Sequence, residues 1–411
     1  MSKSKIQLDF LNETNCIARN SELYKSKLHN YPVRLKDISE LQNFPFTTKE
    51  ELRNHYPFGT LAVSIKDVIE MHTSSGTTGK ATLSYFTQED LEIGSKAIAE
   101  AWQCFGINDE SRVQFMMSYG LFSGAMLNTY AIQKIGGFVV PAGIQSAEKQ
   151  VQMMLDFKVD TIVGTPGYYY YLFDYITEKQ IPLERFSLKR GIAAGEIYSD
   201  KVRSDIEQKF NIKIFDHYGL CEINTGIAYE CEFRTGLHIL DEYVFPEIIN
   251  PETGKVLPQG NEGELVLTTL RKKASPVIRY RTGDITAIKS GQCPCERNSI
   301  RIDRIKRRTD DLIFIKGIKI DPYELKEYIL EIAGNNIYSD IKIIVRSDFE
   351  NYKPEILVSL KDPSNSNLLA FIQKSLKDKT LLTFDVKHTS RDYFQRGENN
   401  KVKFVEYADK K

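Results

Sequence analysis

The sequence lacks a long apolar run and an excess of charge of either sign. No window reaches roughly 18 uninterrupted apolar residues, and the start, Met1–Lys5, leads into a polar segment rather than the apolar core of a signal peptide. Lys and Arg together number 55, as do Asp and Glu, so no basic excess favours nucleic acid as a partner. We therefore expect a soluble, cytoplasmic protein that has neither a membrane nor a nucleic-acid partner and acts on small molecules.

Cysteine is scarce, and the chain is longer than one domain requires. In a reducing compartment the six cysteines are free thiols or metal ligands rather than a disulfide framework. Single hydrophobic cores stop growing near roughly 250–300 residues, a size that the 411 residues exceed. The length therefore predicts a large domain and a smaller one.

Short apolar segments alternate with amphipathic helical patterns in the first half of the chain. The segments that predict buried strands are 113–117, 137–140, 161–164, 191–194 and 212–215. The patterns that predict helices between them are 124–135, 147–157, 167–178 and 199–210. This alternation is typical of an α/β fold with a parallel sheet.

Two regions of different pattern follow. From Tyr243 to Ile288, β-rich segments are broken by turn sequences at 250–254 and 259–263, which predict hairpins. The last hundred residues or so, about as many as a small domain needs, alternate strand and helix again. We expect a large N-terminal α/β domain with a β-rich subdomain, residues 1–309, and a small, mobile α+β C-terminal domain, residues 310–411.

Hydroxyls, glycines and one lysine are concentrated in the run Thr73–Thr82. Glycines let backbone N–H groups approach an anion, hydroxyls add donors, and Lys80 adds a positive charge. The run is not a Walker A loop, because only two residues separate Gly76 from the Gly79-Lys80 pair. Taken alone, it is equally compatible with a polar surface turn. The residues predicted to contact nucleotide phosphates are Ser74, Ser75, Gly76, Thr77, Thr78, Gly79 and Lys80.

Further motifs follow this run in the chain. Asp216–Glu222 contains Tyr-Gly-x-x-Glu, Arg279–Asp284 contains Tyr-Arg-Thr-Gly-Asp, and Arg308–Asp311 precedes a Lys316-Gly317 pair. Together and in this order, they resemble the motifs of the adenylate-forming superfamily, which includes acyl-CoA synthetases, peptide-synthetase adenylation domains and luciferase. The segments most similar to phenylacetate-CoA ligases and their relatives are 119–124, 194–196, 301–305 and 317–322.

The resemblance implies a two-step reaction. A carboxylate attacks the α-phosphate of ATP to give an acyl-adenylate and pyrophosphate, and a thiol then displaces AMP. The resemblance also implies that Glu222 holds Mg²⁺, that Tyr218 lies against the adenine and that Asp284 accepts hydrogen bonds from the ribose. Considered singly, these residues also fit a helix first-turn acid, a core aromatic and a turn residue. The other residues assigned to the nucleotide are Gly195, Glu196, Asp216, Gly219 and Arg308.

The chain departs from the superfamily near residue 400. Members usually carry a lysine there, within a pattern like Gly-Lys-x-x-Arg, that assists adenylation. When Lys403 is aligned with the arginine, Asn400 takes the place of the lysine and Lys401 lies one residue away. A one-residue shift on a strand turns a side chain to the opposite face. Either a loop adjustment lets Lys401 join Lys80 and Glu222 as a catalytic residue, or adenylation proceeds without it.

Cys231, His238, Cys293 and Cys295 supply three thiols and an imidazole, which match the ligand preferences of Zn²⁺. Their spacing is unlike that of a zinc finger, and from spacing alone ordinary buried cysteines and a core histidine are an equal alternative. Some relatives of phenylacetate-CoA ligase carry a similar set as a structural metal site. The resemblance therefore favours a closed, structural zinc site.

The pocket for the acid is predicted to be aromatic with small residues between. Aromatic walls suit a flat ring, so we expect an aryl or arylacetic acid, although no feature of the sequence selects one such acid. The residues predicted to line the pocket are Tyr119, Gly120, Phe122, Ala193, Ala194 and Ile223.

The sequence leaves the acceptor thiol open. CoA would need a basic patch for its 3′-phosphate, for which Lys272, Lys273, Lys306 and Arg307 are candidates, but a solvated charged face explains them at least as well. A carrier protein as acceptor would share the same first half-reaction, and a degenerate relative that binds nucleotide without turnover is a further alternative. The resemblance implies a C-terminal domain that rotates about Asp310 between half-reactions, and it is compatible with a homodimer.

Overall fold

The helices lie mostly in the first half of the chain. The structure is a computed structural model that describes residues 3–74, 81–309, 313–315, 318–346, 353–394 and 404–408. The α-helices are α1 (Lys3–Ala18), α2 (Glu22–Lys27), α3 (Lys49–Asn54), α4 (Gln88–Cys104), α5 (Ser123–Ile135), α6 (Ala147–Asp156), α7 (Pro166–Glu178), α8 (Asp200–Phe210), α9 (Pro322–Ala333) and α10 (Ser366–Thr380). Within the described ranges, no helix is both long and apolar enough to cross a membrane.

The strands of the described residues form five sheets. In chain order they are β1 (Val68–Thr73), β2 (Leu83–Thr87), β3 (Arg112–Phe115), β4 (Phe138–Val140), β5 (Thr161–Gly164), β6 (Arg190–Ala194), β7 (Lys213–Leu220), β8 (Asn224–Glu230), β9 (Leu237–Ile239), β10 (Val244–Ile249), β11 (Gly263–Thr269), β12 (Tyr280–Thr286), β13 (Arg301–Ile302), β14 (Arg307–Arg308), β15 (Ile313–Ile315), β16 (Ile318–Ile320), β17 (Ile337–Arg346), β18 (Glu355–Leu360), β19 (Asp385–His388) and β20 (Val405–Ala408). The largest sheet has the order β13-β9-β8-β7-β6-β5-β3-β4.

Five neighbouring strands of this sheet, β4, β3, β5, β6 and β7, are parallel. The helices α5, α6, α7 and α8 connect them in turn, because parallel strands require a crossover. The predicted α/β class is confirmed, and most predicted boundaries agree closely with the observed ones. The exception is β7, which ends at Leu220 rather than at residue 215 because its second half pairs with the antiparallel β8.

Helices cover both faces of the parallel strands. Alternate residues of a strand point to opposite faces, so Ile192 and Phe215 pack against α4 and α5, whereas Ala193 and Ile214 pack against α6, α7 and α8. A sheet that is apolar on both faces leaves the carboxyl ends of its parallel strands as the place where polar side chains can gather. The candidate site described below lies at these ends.

A second, antiparallel sheet of β10, β11, β12 and β14 forms the predicted β-rich part. The turn sequences at 250–254 and 259–263 both lie between β10 and the start of β11. Antiparallel pairing of Ile249 with Val256 closes a tight hairpin at the first of them, as predicted. Asn250 shapes the first turn, since its Oδ1 accepts the N–H groups two and three residues on, each at 2.9 Å. At the other edge of the sheet, the β12–β14 pairing places Asp284 opposite Arg308.

The C-terminal helices and strands have a hydrophobic core of their own. It extends from Ile313 to Val386 and includes Leu325, Ile343 and Leu376. The helices α9 and α10 pack against a sheet of order β19-β18-β17-β20, an α+β arrangement as predicted. The predicted boundary at residues 309 and 310 adjoins residues outside the described ranges, so this boundary and the mobility of the C-terminal unit stay predictions.

The packing at Gly191, in the middle of β6, generates a stability prediction. A Cβ there would lie 2.6 Å from both Ile214 Cδ1 and the hydroxyl of Tyr169. We expect Gly191→Ala to lower the free energy of unfolding by about 1–3 kcal/mol, because the buried strand has no room to shift. Urea unfolding followed through the fluorescence of Trp102, the sole tryptophan, measures the change.

Gly124→Ala is the matched control. The nearest atom to a Cβ at Gly124, in α5, is Met117 Cε at 3.7 Å, an ordinary contact. Alanine favours a helix, so this variant should be unchanged or stabilised by up to about 1 kcal/mol. Equal stability of the two variants would contradict the close packing at Gly191.

Candidate active site

The two ends of the hydroxyl-rich run are hydrogen-bonded to each other, and one of them, Thr82, is also hydrogen-bonded to Glu222. Ser74 N donates to the Thr82 carbonyl over 3.1 Å, and the two hydroxyl oxygens are 2.5 Å apart. Thr82 Oγ1 donates its one proton to Glu222 Oε1 over 2.8 Å, so the Ser74 hydroxyl donates to Thr82. Residues 75–80, Lys80 among them, lie outside the described ranges. A chain of hydrogen bonds therefore connects Ser74, Thr82 and the carboxylate of Glu222.

Glu222 is buried, with 5% of its surface exposed. Lys49 Nζ, from the first residue of α3, lies 3.9 Å from Glu222 Oε1. The start of α3 is fixed in place because the Thr47 N–H donates to the Arg279 carbonyl over 2.9 Å, which ties this segment to the start of β12. Sequence reasoning missed Lys49, since nothing in its local sequence distinguishes it from a surface lysine.

Three of the residues predicted to bind nucleotide are in contact. Tyr218 Oη donates to Asp284 Oδ2 over 2.6 Å, and Arg308 Nη1 donates to Asp284 Oδ1, also over 2.6 Å. Burial, together with the charge of Asp284, raises the pKa of Tyr218 well above its ordinary value, so the hydroxyl stays protonated and donates. We call Tyr218, Asp284 and Arg308 the β12 cluster.

Tyr280 places the β12 cluster next to Glu222. This tyrosine is buried, and burial is the main cause that raises its pKa. Glu222 and Asp284 raise it further, whereas Arg308 lowers it, so all three charged groups are near enough to act on the Tyr280 hydroxyl. The loop ends, the buried carboxylate and the β12 cluster therefore form one continuous polar site.

Gly195 and Glu196 directly follow β6, at the carboxyl end of the parallel strand. Gly195 has a φ of +79°, a conformation that favours glycine. Glu196 Oε2 accepts the N–H of Gly167 over 3.2 Å, in the first turn of α7, where a helix favours negative charge. The two residues predicted to line the adenine site thus lie between the carboxyl end of β6 and the start of α7.

Asp216 and Gly219, the other two residues predicted from the β7 motif, have structural partners. Asp216 Oδ2 accepts from Arg304 Nε over 2.7 Å. A Cβ on Gly219 would lie 2.2 Å from the backbone nitrogen of Gly226, so only glycine permits β7 and β8 to approach this closely. Contact of either residue with a cofactor stays a prediction.

The segment 119–122, predicted to line the acid pocket, lies beside the hydroxyl-rich run. Thr73 N donates to the Leu121 carbonyl over 2.8 Å, which joins the two segments. Tyr119 is half-buried, and burial raises its pKa to about 12, so its hydroxyl is neutral where it meets a threonine of α5 at 2.8 Å. Gly120 is exposed and Phe122 is half-buried. An aromatic surface therefore adjoins the polar site.

The structure separates the remaining predicted pocket residues. Ala193 and Ile223 expose no surface and pack in the hydrophobic core. Ala194, the last residue of β6, is partly exposed. Contact of the acid with Ala193 or Ile223 stays a prediction, and Ala194 is the one of the three that the described structure places at an accessible strand end.

The basic residues considered for CoA do not form an open patch. Lys272 is 1% exposed, and burial lowers its pKa to about 8. Both interpretations of this lysine, a phosphate ligand and a solvated surface charge, are therefore wrong. The others pair with acidic side chains: Lys273 with Glu89 over 2.7 Å, Lys306 with Glu262 over 2.6 Å and Arg307 with Glu262 over 3.2 Å.

The four candidate zinc ligands converge, with their ligand atoms all within 4.8 Å of one another. Cys231 Sγ lies 3.6 Å from Cys293 Sγ, and Cys295 Sγ lies 3.4 Å from His238 Nε2. Tetrahedral zinc with ordinary bond lengths places two sulfurs about 3.8 Å apart and a sulfur and a nitrogen about 3.5 Å apart. The donor set and its dimensions therefore fit the ion.

The strands around His238 orient its ring. His238 lies in β9 between β8 and β13, opposite Tyr229 on one side and Arg301 on the other. Its Nδ1 is 2.7 Å from Ser299 Oγ, and the Tyr229 ring stacks on it at 5.8 Å. A partner on Nδ1 leaves Nε2 directed at the thiols, the arrangement that orients histidine ligands of metals.

Eight predicted site residues lie outside the described ranges: Ser75, Gly76, Thr77, Thr78, Gly79, Lys80, Asp310 and Lys401. Their roles in phosphate binding, adenylation and domain rotation stay predictions. The described residues bring together Ser74, Glu222 and the β12 cluster at the carboxyl ends of the parallel strands.

Solved structures share this fold. The 2-hydroxyisobutyryl-CoA ligase in the postadenylation state, bound to R3-HIB-AMP, matches with a TM-score of 0.88 at 20% identity, covering 99% of this chain and 90% of that one. The same ligase with 2-HIB-AMP and CoA in the thioesterification state matches with a TM-score of 0.73 at 21% identity, with the same coverage. This chain therefore shares the fold of that ligase.

Sequence comparisons extend this likeness to the family. The profile described as "AMP-binding enzyme" matches residues 8–269. Phenylacetate-coenzyme A ligase of Pseudomonas putida is 38% identical over 318 residues, covering 76% of this chain and 72% of that protein. The enzyme of the same name from Escherichia coli (strain K12) is 35% identical over 352 residues, covering 84% and 79%. This chain belongs to the AMP-binding enzyme family of adenylate-forming ligases, among the relatives of phenylacetate-CoA ligase.

Proposed function

We propose that this protein is an AMP-forming ligase that activates a small aryl or arylacetic acid with ATP and transfers the acyl group to CoA. The observation that carries the proposal is the convergence of the loop ends, Glu222 and the β12 cluster beside the aromatic segment 119–122. The phenylacetate-CoA ligases among the relatives supply the acid class and the acceptor.

Adenylation requires that the negative charge developing at the α-phosphate be stabilised. Glu222 suits Mg²⁺ because it is a buried carboxylate approached by a hydroxyl and, at 3.9 Å, a lysine, so it retains lone pairs for a metal. The ion would supply Lewis-acid stabilisation of the phosphates. Thr82 and Ser74 hold the ends of the loop in place, and Asp284 is positioned to accept ribose hydroxyls if Tyr218 and Arg308 release it.

Pyrophosphate release tests the proposed function. We expect release from ATP and Mg²⁺ that depends on an added acid from an aryl and arylacetic panel, and acyl-CoA as the product when CoA is present. Glu222→Gln should reduce release by about 100-fold or more, because the amide keeps the side-chain shape but loses the charge that binds the metal.

Each outcome of this assay has a distinct meaning. Release without acyl-CoA would favour a carrier protein as acceptor, the second interpretation of the sequence. Absence of release with every acid, from a protein that binds ATP, would favour a degenerate relative. Full activity of Glu222→Gln would remove Glu222 from the mechanism.

A second prediction concerns which lysine assists adenylation. Lys49 Nζ lies within 4 Å of the proposed metal-binding carboxylate, so we infer that it contributes positive charge beside the phosphates. Lys49→Met should slow single-turnover adenylation by about tenfold or more, less than the roughly 100- to 1000-fold lost with a donor in direct contact with the transition state, because Lys49 is inferred to act only as a nearby charge. Lys401→Ala, measured in parallel, tests the lysine predicted from the superfamily.

Lys66→Met is the matched control, since Lys66 lies on the exposed 3₁₀-helix Ile65–Asp67. The control should adenylate at the wild-type rate. A wild-type rate for Lys49→Met would contradict the inference, and slowing in Lys401→Ala alone would return the role to the C-terminal segment.

We further propose that the C-terminal unit rotates about Asp310 between the half-reactions. In the structure this unit contacts α7 and α8 through ion pairs: Arg391 lies 3.1 Å from Asp174 and 3.0 Å from Glu178, and Lys201 lies 3.3 Å from Glu331. Rotation would break these contacts and expose a different face to the acceptor thiol. A homodimer, suggested by the resemblance alone, stays a prediction.

We also propose that Cys231, His238, Cys293 and Cys295 bind a structural Zn²⁺. Four protein ligands close a tetrahedral site, so the ion would hold the end of β8 to the segment before β13 rather than take part in the reaction. Elemental analysis of the purified protein should find about one zinc per chain.

Cys295→Ser should lose most of the metal and lower the thermal unfolding midpoint, because a structural site contributes its binding energy to folding. Cys16→Ser, at an exposed cysteine of α1, is the matched control and should retain zinc. Equal zinc in both variants, or none in the wild type, would contradict the site.

A further inference from the structure

Lys272 is a buried cation that the proposed mechanism does not use. Its side chain is 1% exposed, and Nζ lies 4.2 Å from the centre of the Phe86 ring. Nζ donates to Ser84 Oγ and, over 2.9 Å, to the Ile223 carbonyl. These hydrogen-bond acceptors are neutral. An ammonium group buried among neutral acceptors costs free energy that methionine, of similar length, would not.

The two acceptors show what this lysine connects. Ser84 lies on β2 two residues after Thr82, and Ile223 directly follows Glu222. Ser84 and Phe86 are two residues apart, so they share the face of β2 that Lys272 contacts. The same two segments are joined, one step nearer the site, by the 2.8 Å hydrogen bond between Thr82 and Glu222. Lys272 therefore joins the same two segments through a second set of hydrogen bonds, to the residues that follow Thr82 and Glu222 in the chain.

The charge of Lys272 also acts near the site. The carboxylates of Asp90 and Glu222 interact with it electrostatically. Asp90 is itself buried and accepts the N–H groups of Lys273 and Ala274 over 2.6 and 2.9 Å, which fixes the backbone that carries Lys272. Both the backbone of Lys272 and the acceptors of its side chain are therefore held in place. This lysine can thus determine how far the segment of Glu222 lies from β2.

We infer that Lys272 is a positioning residue for adenylation. It holds the turn that contains Glu222 and Ile223 against β2, the strand that follows the hydroxyl-rich run, so that Glu222 presents its carboxylate to Mg²⁺·ATP. This inference rests on the proposed function. Lys272 acts through Glu222 and Thr82 and does not contact the reacting atoms. A purely structural role would alter stability without altering the response to Mg²⁺, and this difference makes the inference testable.

The test compares Lys272→Met with Lys273→Met in full-length protein. Lys273 is the adjacent lysine, and its side chain forms an exposed ion pair with Glu89. We expect Lys272→Met to reduce the rate of acid-dependent pyrophosphate release by about 10- to 100-fold and to raise the Mg²⁺ concentration at half-maximal rate, as loss of partners that orient metal ligands does. The KM for the acid should be unchanged, and Lys273→Met should match the wild type.

Ser84→Ala covers the case in which Lys272→Met does not fold. It removes one acceptor of Lys272 and should give a smaller effect in the same direction, and the double variant should be no slower than Lys272→Met because both changes break one connection. Wild-type rates and Mg²⁺ response in Ser84→Ala and Lys272→Met would overturn the inference. So would an additive double variant.

Calorimetric binding of ATP at a series of Mg²⁺ concentrations separates this inference from the proposed function. If the wild type releases no pyrophosphate, the proposed function fails, but weakened Mg²⁺-dependent ATP binding by Lys272→Met would still support the positioning role. Equal binding by Lys272→Met and the wild type would overturn that role whatever the activity.

Discussion

The site depends on one buried carboxylate, Glu222. A carboxylate that is 5% exposed must be offset by hydrogen bonds or opposite charge, because its lost hydration costs several kcal/mol, on the order of the effective penalty for a buried ion. The groups that offset it come from distant parts of the chain, since Lys49, Thr82 and Tyr280 belong to α3, the segment before β2 and β12. The groups that compensate for the lost hydration of Glu222 therefore come from three separate segments, which lie together at the carboxyl ends of the parallel strands.

The β12 cluster shows how such a site can be both ordered and selective. Asp284 accepts from Tyr218 and from Arg308 in the structure, so a ribose that took its oxygens would exchange existing hydrogen bonds for new ones. Such an exchange yields little net free energy of binding per hydrogen bond. A ligand that displaced Tyr218 and Arg308 without donating hydrogen bonds itself would leave the buried carboxylate of Asp284 without donors, which costs free energy. If Asp284 binds the ribose as proposed, the arrangement would reject ligands that lack the hydroxyls more strongly than it attracts those that have them.

The sequence predicts the scaffold better than the site. Buried parallel strands are short apolar runs between amphipathic helices, and this local signal places β3 to β6 and the first half of β7 closely. Burial of a charged side chain leaves no local signal. Lys272 and Lys273 are adjacent lysines, yet Lys272 is enclosed by β2 and the turn that contains Glu222, whereas Lys273 is partly exposed. The approach of Lys49 to Glu222 and the convergence of the four Cys and His side chains depend on strand pairing across the fold, which spacing along the chain does not encode.

The distribution of apolar and polar contacts suits a rigid site and a movable unit. The parts that carry Glu222 and the β12 cluster share one hydrophobic core, where separation would expose a large apolar area at about 25 cal/mol per Å². The C-terminal unit has its own core and meets α7 and α8 mainly through polar contacts. Arg391 forms a partly buried ion pair with Asp174 and packs on the Tyr171 ring at 5.3 Å, whereas the Lys201–Glu331 pair is well exposed. Exposed ion pairs are worth roughly 0–1 kcal/mol each, so they can be broken and remade at little cost. Rearrangement of this interface is therefore compatible with an undisturbed site, because the two depend on different kinds of contact.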